Sequence, residues 1–267
     1  GQTHLCRPNV LLPLHLSAAV ASVMKDWNYE NEQWVHLPAH LKHLPLFTRH
    51  FDFTSFLFRV GWGIYLKTLG FRFYIRLKVV GDFKSLYKKH PRLILISNHA
   101  SHLDAVSIAA AVPFMYWKDL YITAAKDYWF RNPLFTYFSK HCLGAIPIER
   151  HDRKGEAVKL CMTLLASLPR IWLILFPEGG RSHDGTLQPF KRGVSLFAQK
   201  TNTPVLFLYL EGNKELWPKG RLMPYPGPLT VHVGPVHPPA PVEDLYGDYK
   251  KWVLSFRPDA NLETPKV

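Results

Sequence analysis

The sequence predicts an α/β fold: a mixed, largely parallel sheet flanked by helices, preceded by an aromatic-rich helical segment that associates with a membrane. Two patterns carry the prediction. From Arg92 onward, short apolar runs recur at 93–97, 120–124, 145–148, 171–176, 204–210 and 229–233, each of strand length. Between them, most plainly over Glu156–Leu168, apolar residues return at three- and four-residue spacing: Ala157, Leu160, Cys161, Leu164, Leu165 and Leu168 share one helical stripe. Strands alternating with helices build βαβ units, which lay strands parallel and leave helices on the sheet's faces.

Residues 1–90 lack this alternation. Phe51–Leu77 is dense in rings (Phe53, Phe56, Phe58, Trp62, Tyr65, Phe71, Phe73 and Tyr74 among them), interrupted by Arg59, Lys67, Arg72 and Arg76. The charges deny it the ~18 uncharged residues of a membrane span. A helix or helix pair lying in the membrane interface is expected instead, with rings in the acyl region and Lys/Arg at the headgroups. The competing expectation is that the rings simply cover the sheet. Val10–Met24 is apolar but carries Pro13 and His15 and falls short of the ~20 residues of a span. The division expected is 1–74 as a helical, membrane-associating segment and 75–267 as the main domain. The Pro-rich stretch 235–241 is expected to end the compact part. A first residue that is not Met predicts a piece of a longer chain.

With 33 Lys+Arg against 20 Asp+Glu, the formal charge is +13, which favours an anionic partner. Nucleic acid is not expected, because zinc-finger spacing, an RNP-type aromatic motif and an Arg-rich helix are all missing from the sequence. An anionic membrane surface or a phosphorylated substrate remains. Lys67–Arg92 supports the membrane: eight Lys/Arg against the single acid Asp82, directly beside the aromatic segment. Cys6, Cys142 and Cys161 are scattered and odd in number, which suits a reducing compartment and offers no disulfide framework or zinc cluster.

Chemistry concentrates after two of the strand-like runs. Asn98-His99-Ala100-Ser101-His102-Leu103-Asp104 follows the first, and Phe176-Pro177-Glu178-Gly179-Gly180-Arg181-Ser182 follows Ile171–Leu175. On one helix His99 and Asp104 would point roughly 140° apart. They meet if His99 ends the strand in a turn and Asp104 opens the next helix. The carboxylate then fixes one ring nitrogen and leaves the other as a base. Asn98 and Ser101 suit such a turn.

Glu178 and Arg181 bracket Gly179-Gly180, a turn that lets a substrate approach the backbone, and Arg181 can fork onto a phosphate. Lys126, Arg150 and Lys191 are further cations just beyond strand ends, where ligands of open α/β sheets bind. No metal is expected, since the metallo-hydrolase pattern around His99 and His102 would need His at 100 and 105, both Ala. Gly193-Val194-Ser195-Leu196-Phe197 lacks the last Gly of a serine nucleophile elbow. A base beside an anion grip points to acyl transfer onto a hydroxyl.

In four ordered blocks over roughly 75–240 the chain resembles the glycerolipid acyltransferase family. Asn98, His99 and Asp104 match N-H-x4-D; Gly144, Ile146, Ile148 and Arg150 match G-x-I-x-I-x-R. Phe176, Pro177, Glu178, Gly179, Arg181 and Ser182 match F-P-E-G-x-R-S, and Pro204, Val205 and Leu206 match a Pro followed by aliphatics. The resemblance implies an O-acyltransferase domain over 75–267, acting without a resident cofactor. It would move a fatty acyl chain from acyl-CoA or acyl-carrier protein to a lysophospholipid hydroxyl, above all that of 1-acylglycerol 3-phosphate, in phospholipid biosynthesis. His99 and Asp104 would be catalytic. Lys126, Arg150, Glu178, Gly179, Arg181, Ser182 and Lys191 would bind substrate. The implied location is peripheral or monotopic, on the cytoplasmic face of a membrane. Glycerol 3-phosphate or another lyso-lipid remains open as acceptor, as does a catalytically silent membrane lipid-binding protein on the same fold.

Overall fold

The computed structural model describes residues 53–125, 139–148, 156–182, 184–218 and 223–260. The expectations for Val10–Met24, for the rest of 1–52, and for Lys126 and Arg150 lie outside the described residues. Among the described residues seven strands form one sheet: β1 (Ile75–Val80), β2 (Arg92–Ile96), β3 (Leu120–Ala125), β4 (Ala145–Ile148), β5 (Ile171–Leu175), β6 (Val205–Glu211) and β7 (Gly227–His237), in the spatial order β1-β7-β6-β2-β5-β3-β4. From β6 to β4 all neighbours are parallel; β7 is antiparallel to β6, and β1 runs with β7. The sheet is therefore mixed and largely parallel, as the alternating pattern predicts.

The central strands read as unbroken apolar runs because both faces are covered. In β2, Leu93 and Leu95 pack with Leu66, Phe71, Ile108 and Trp117 on one face, while Ile94 and Ile96 pack with Leu164, Leu165, Phe197 and Tyr249 on the other. Helices α1 (Phe53–Tyr65), α2 (Phe83–Lys89) and α3 (Asp104–Ala111) lie N-terminal to the midpoint of the chain; α4 (Glu156–Ser167), α5 (Gly193–Thr201), the single turn α6 (Asn213–Leu216) and α7 (Val242–Phe256) follow. The expected stripe on α4 is buried at Cys161, Leu164 and Leu165 and continues to Leu168.

Two expectations are corrected. Residues 1–90 do hold part of the alternation, since β1 and α2 fall inside them. β1 is an edge strand with four of its six residues exposed, so it carries Arg76, Lys78 and little apolar pattern. The stretch 235–241 does not end the compact part either. It leads into α7, whose Leu245, Tyr246, Tyr249 and Val253 are buried. Proline at 241 is the residue just before that helix, a position that needs no helical N–H from it.

The aromatic segment serves two faces. Past α1, a π-helix over Leu66–Tyr74 leads into β1. Leu66, Phe71 and the Arg59 side chain are buried, and Trp62 packs against the core. Arg59 donates to Trp117 O at 3.1 Å, and Lys67 Nζ donates to Ala110 O and Val112 O. Leu57, Phe58, Ile64, Tyr65, Leu69 and Phe73 instead face outward.

Candidate active site

β2 ends at Ile96 and α3 opens on Asp104, so the seven residues between them form the turn the motif requires. His99 Nδ1 lies 2.8 Å from Asp104 Oδ2. The same oxygen accepts from Ala100 N–H at 2.8 Å and Ser101 N–H at 2.9 Å. An oxygen that receives backbone donors is acting as a carboxylate acceptor, so Nδ1 carries the proton and Nε2 is left as the basic nitrogen. Asp104 is fully buried while the His99 side chain is 21% exposed, which puts the acid behind the base. The imidazole also stacks on Phe176, with centroids 4.1 Å apart.

The turn is pinned to its neighbours by side chains that imitate backbone. Asn98 Nδ2 donates to Leu210 O at 2.9 Å and Asn98 Oδ1 accepts from Leu210 N–H at 2.7 Å, extending the β2–β6 pairing past the end of β2. Ser101 Oγ accepts from Leu103 N–H and donates to Trp217 O. His102 is half-buried; burial, with Arg181 and His99 close by, pushes its imidazolium down to about 4, so it is neutral at ordinary pH.

The Phe176–Ser182 loop meets this turn through backbone. Glu178 Oε1 accepts from His99 N–H at 2.7 Å and Oε2 accepts from Gln188 N–H at 2.9 Å. His99 O accepts from Ser182 N–H at 2.7 Å. Burial pushes the Glu178 carboxyl up to about 8, against the pull of those two amides and with Asp104 adding to the rise. Glu178 and Ser182 are both buried, and the Ser182 hydroxyl bonds to Asp184 and Gly185. Both residues, singled out as substrate contacts, are thus spent on holding the loop.

A cavity of about 410 Å³ opens beside His99. Its polar lining includes His99, Gly179, Gly180, Arg181 and Lys191; its apolar lining includes Ala124, Leu175, Phe176, Val194 and Phe197. Arg181 Nη1 is buried without a hydrogen-bond partner among the described residues. Gly179 has φ +71°, and a Cβ there would come 2.5 Å from Lys191 Nζ, so the lysine crosses directly over the glycine. Gly193, the first residue of α5, lines the same space, adding the positive end of a helix to two cationic side chains. Of the residues read from sequence, His99, Gly179, Arg181 and Lys191 converge on this cavity; Asp104, Glu178 and Ser182 stand behind it.

Two residues that sequence reading passed over touch the turn. Asn213, 4% exposed at the start of α6, donates from Nδ2 to Asp104 Oδ1 at 2.8 Å. Tyr249 on α7 donates to Leu208 O at 2.6 Å and accepts from Asn98 N–H at 3.2 Å. Asn213 follows a strand end and the φ +90° turn at Gly212, a place where site residues of α/β sheets gather. Tyr249 carries no such signal, because an amphipathic helix uses tyrosine as core filler more often than as a bolt.

Residues 78–210 match the Acyltransferase family model, a span that contains His99, Asp104, Glu178, Arg181 and Lys191. This chain belongs to the acyltransferase family. Among curated relatives, the 1-acyl-sn-glycerol-3-phosphate acyltransferase of Limnanthes douglasii is 30% identical over 165 residues, covering 61% of this chain and 56% of that protein. The human 1-acyl-sn-glycerol-3-phosphate acyltransferase alpha is 28% identical over 159 residues, covering 58% of this chain and 52% of that protein. This acyltransferase-family chain therefore spans little more than half the length of those relatives. Its fold is shared with the crystal structure of the 1-acyl-sn-glycerophosphate (LPA) acyltransferase PlsC from Thermotoga maritima, at a TM-score of 0.58 and 20% identity over 89% of this chain and 85% of that one.

Proposed function

We propose that this chain transfers a fatty acyl group from an acyl thioester, acyl-CoA or acyl-carrier protein, to the free hydroxyl of a lysophospholipid, first among them 1-acylglycerol 3-phosphate. The observation that carries the reading is one cavity in which an oriented histidine faces an arginine whose Nη1 is buried without a partner among the described residues, over an apolar floor. The names of the relatives support the acceptor. A buried guanidinium nitrogen left open is costly unless an anion fills the place, and a phosphate does so with charge-assisted bonds.

In this reading His99 Nε2 takes the proton from the acceptor hydroxyl as its oxygen attacks the thioester carbon. The tetrahedral oxyanion collapses, the C–S bond breaks, and the departing thiolate recovers the proton from His99. Ester and free thiol leave, and no acyl-enzyme forms. Asp104 stabilises the imidazolium between the two transfers. Arg181 and Lys191 hold the acceptor phosphate, fixing the hydroxyl against the base. Glu178 and Ser182 act one step back, by fixing the main chain of His99. Lys126 and Arg150 stay candidates for further phosphate contacts.

Membrane association belongs to the same proposal. Among the described residues no helix is long and apolar enough to cross a membrane. The exposed Leu57, Ile64, Leu69 and Phe73 form an apolar strip of the kind an interfacial helix sets into a lipid surface. The strip ends at β1, whose first residue Ile75 pairs with Gly227, beyond the Glu211–Thr230 pair at the carboxyl end of β6. Phe73 therefore lies at the same end of the sheet as His99, where a lipid acceptor would have to enter.

The deciding experiment is turnover of acyl-CoA and acyl-carrier protein by the purified chain with 1-acylglycerol 3-phosphate, glycerol 3-phosphate and uncharged lyso-lipids. Transfer to the phosphorylated lyso-lipid above the others is expected. Hydrolysis alone, or indifference to the phosphate, would overturn the assignment.

A further inference from the structure

Asp104 is fully buried and accepts four hydrogen bonds, but they divide unevenly. Oδ2 takes His99 Nδ1 and the amides of Ala100 and Ser101, all from its own turn. Among the described residues, Oδ1 has one partner, Asn213 Nδ2 at 2.8 Å. Asn213 lies outside the matched span 78–210 and comes from another part of the chain. Gly212, with φ +90° and no room for a Cβ against Pro228 O, turns the chain at the end of β6 so that Asn213 reaches back under α3. A carboxylate only accepts, so the asparagine must present its NH2 here and not its oxygen.

We propose that Asn213 is a positioning residue for acyl transfer, holding the Asp104 carboxylate so that it in turn holds His99; the proposal rests on the catalytic reading of that pair. Without the amide, Oδ1 is a buried acceptor with no donor, and the pair's net negative state, in which His99 is neutral and able to act as base, loses more than the state in which His99 is protonated. Fewer molecules then hold a free base at a given pH. Other charged or titratable groups facing the pair are Glu178 behind His99, His102 on the same turn, Arg181 and Lys191 on the cavity, and Tyr249 beneath Asn98. None of them is in place to donate to Oδ1 among the described bonds.

The test compares Asn213→Leu, of similar shape without a donor, with Asn213→Asp, His99→Ala and the His99→Ala/Asn213→Leu double variant, following melting temperature and the pH dependence of kcat and KM. Asn213→Leu is expected to lower kcat about 10- to 100-fold, to change neither substrate's KM by more than about threefold on the same scale, and to move the acid limb of the kcat profile to higher pH. Asn213→Asp places a second carboxyl against Asp104; once ionised it adds a negative charge that holds the His99 proton more tightly, and should move the limb further. If Asn213→Leu does not fold, Asn213→Asp carries the test alone. A folded variant with an unmoved acid limb overturns the proposal, as does an equal loss in the His99→Ala background, which would show Asn213 acting independently of the base. Full turnover in His99→Ala alone would instead sink the catalytic reading, a result separate from either.

Discussion

Glu178 grips His99 by its backbone. The carboxyl group accepts the histidine N–H at 2.7 Å through one oxygen and the Gln188 N–H at 2.9 Å through the other, so neither is turned to the cavity. The acid of the second motif thus ties the Phe176–Ser182 loop to the turn that carries His99.

Replacing Glu178 with Gln tests the clamp. An amide has one acceptor oxygen, so either His99 N–H or Gln188 N–H must face an NH2 group. A loss of about 1–3 kcal/mol is expected from the orphaned donor, together with a fall in kcat as His99 shifts. The pH dependence carries a sign. The folded-state value of about 8 lies above the ordinary 4.5, so Glu178 contributes stability that is complete below about pH 4.5 and is lost as pH rises through 8. Urea midpoints should show the deficit of Glu178→Gln relative to the parent shrinking between pH 5 and pH 8.5. A deficit that grows over that window would mean the carboxylate is the favoured form.

His99→Ala is expected to lower turnover by about 10²–10⁴-fold with little change in melting temperature, because the ring is partly exposed and leaves no deep cavity. Asp104→Asn should lose both. Its NH2 would meet either the turn amides or the NH2 of Asn213, at about 1–3 kcal/mol for each mismatched contact. Near-normal turnover in His99→Ala would remove it as the base.

Arg181→Ala should weaken the phosphorylated acceptor by about 1.5–3 kcal/mol, a rise of about 10- to 160-fold in its KM, and leave the acyl donor's KM close to its parent value. Lys191→Ala should follow with a smaller effect, since its side chain is exposed. Steady-state kinetics with each substrate varied in turn would decide this. A change confined to the donor would move Arg181 out of the phosphate pocket.

Vesicle co-sedimentation tests the apolar strip. Binding to anionic vesicles above zwitterionic ones is expected, weakened by salt, and reduced by Leu69→Asp or Phe73→Ser, which replace exposed side chains. Trp62→Ser should show up mainly as lost stability, because Trp62 stacks on Tyr65 and packs against the core. The basic run Lys67–Arg92 does not act as one surface. Lys67 caps carbonyls at the end of α3, and Arg92 opens β2 at the sheet end opposite His99, bonded to Leu168 O. Glu substitutions at Arg72 or Arg76 should therefore weaken binding more than those at Lys88 or Lys89. Equal effects along the run would show that the protein lies differently on the lipid.

The sequence by itself determined six of the seven described strands and the two turns that hold the candidate site, because these depend on local periodicity and on residue types at fixed spacing. His99 and Asp104 could be paired by counting, since five positions meet across a strand-to-helix turn and not along a helix. Where side chains point after that turn is decided over long separations. Glu178 looks like a ligand in its own loop and becomes a backbone clamp only because β5 lies beside β2, so that Phe176–Ser182 and His99 emerge together. Asn213 and Tyr249 reach Asp104 and Asn98 from 109 and 151 residues away, carried there by β6 and by a helix packed on the opposite face. No local pattern marks them, since a single buried asparagine or tyrosine takes its partner from the packing around it. The edge strand β1 escaped for the converse reason: pairing with β7 on one side stabilises it, so its own sequence is free to be charged.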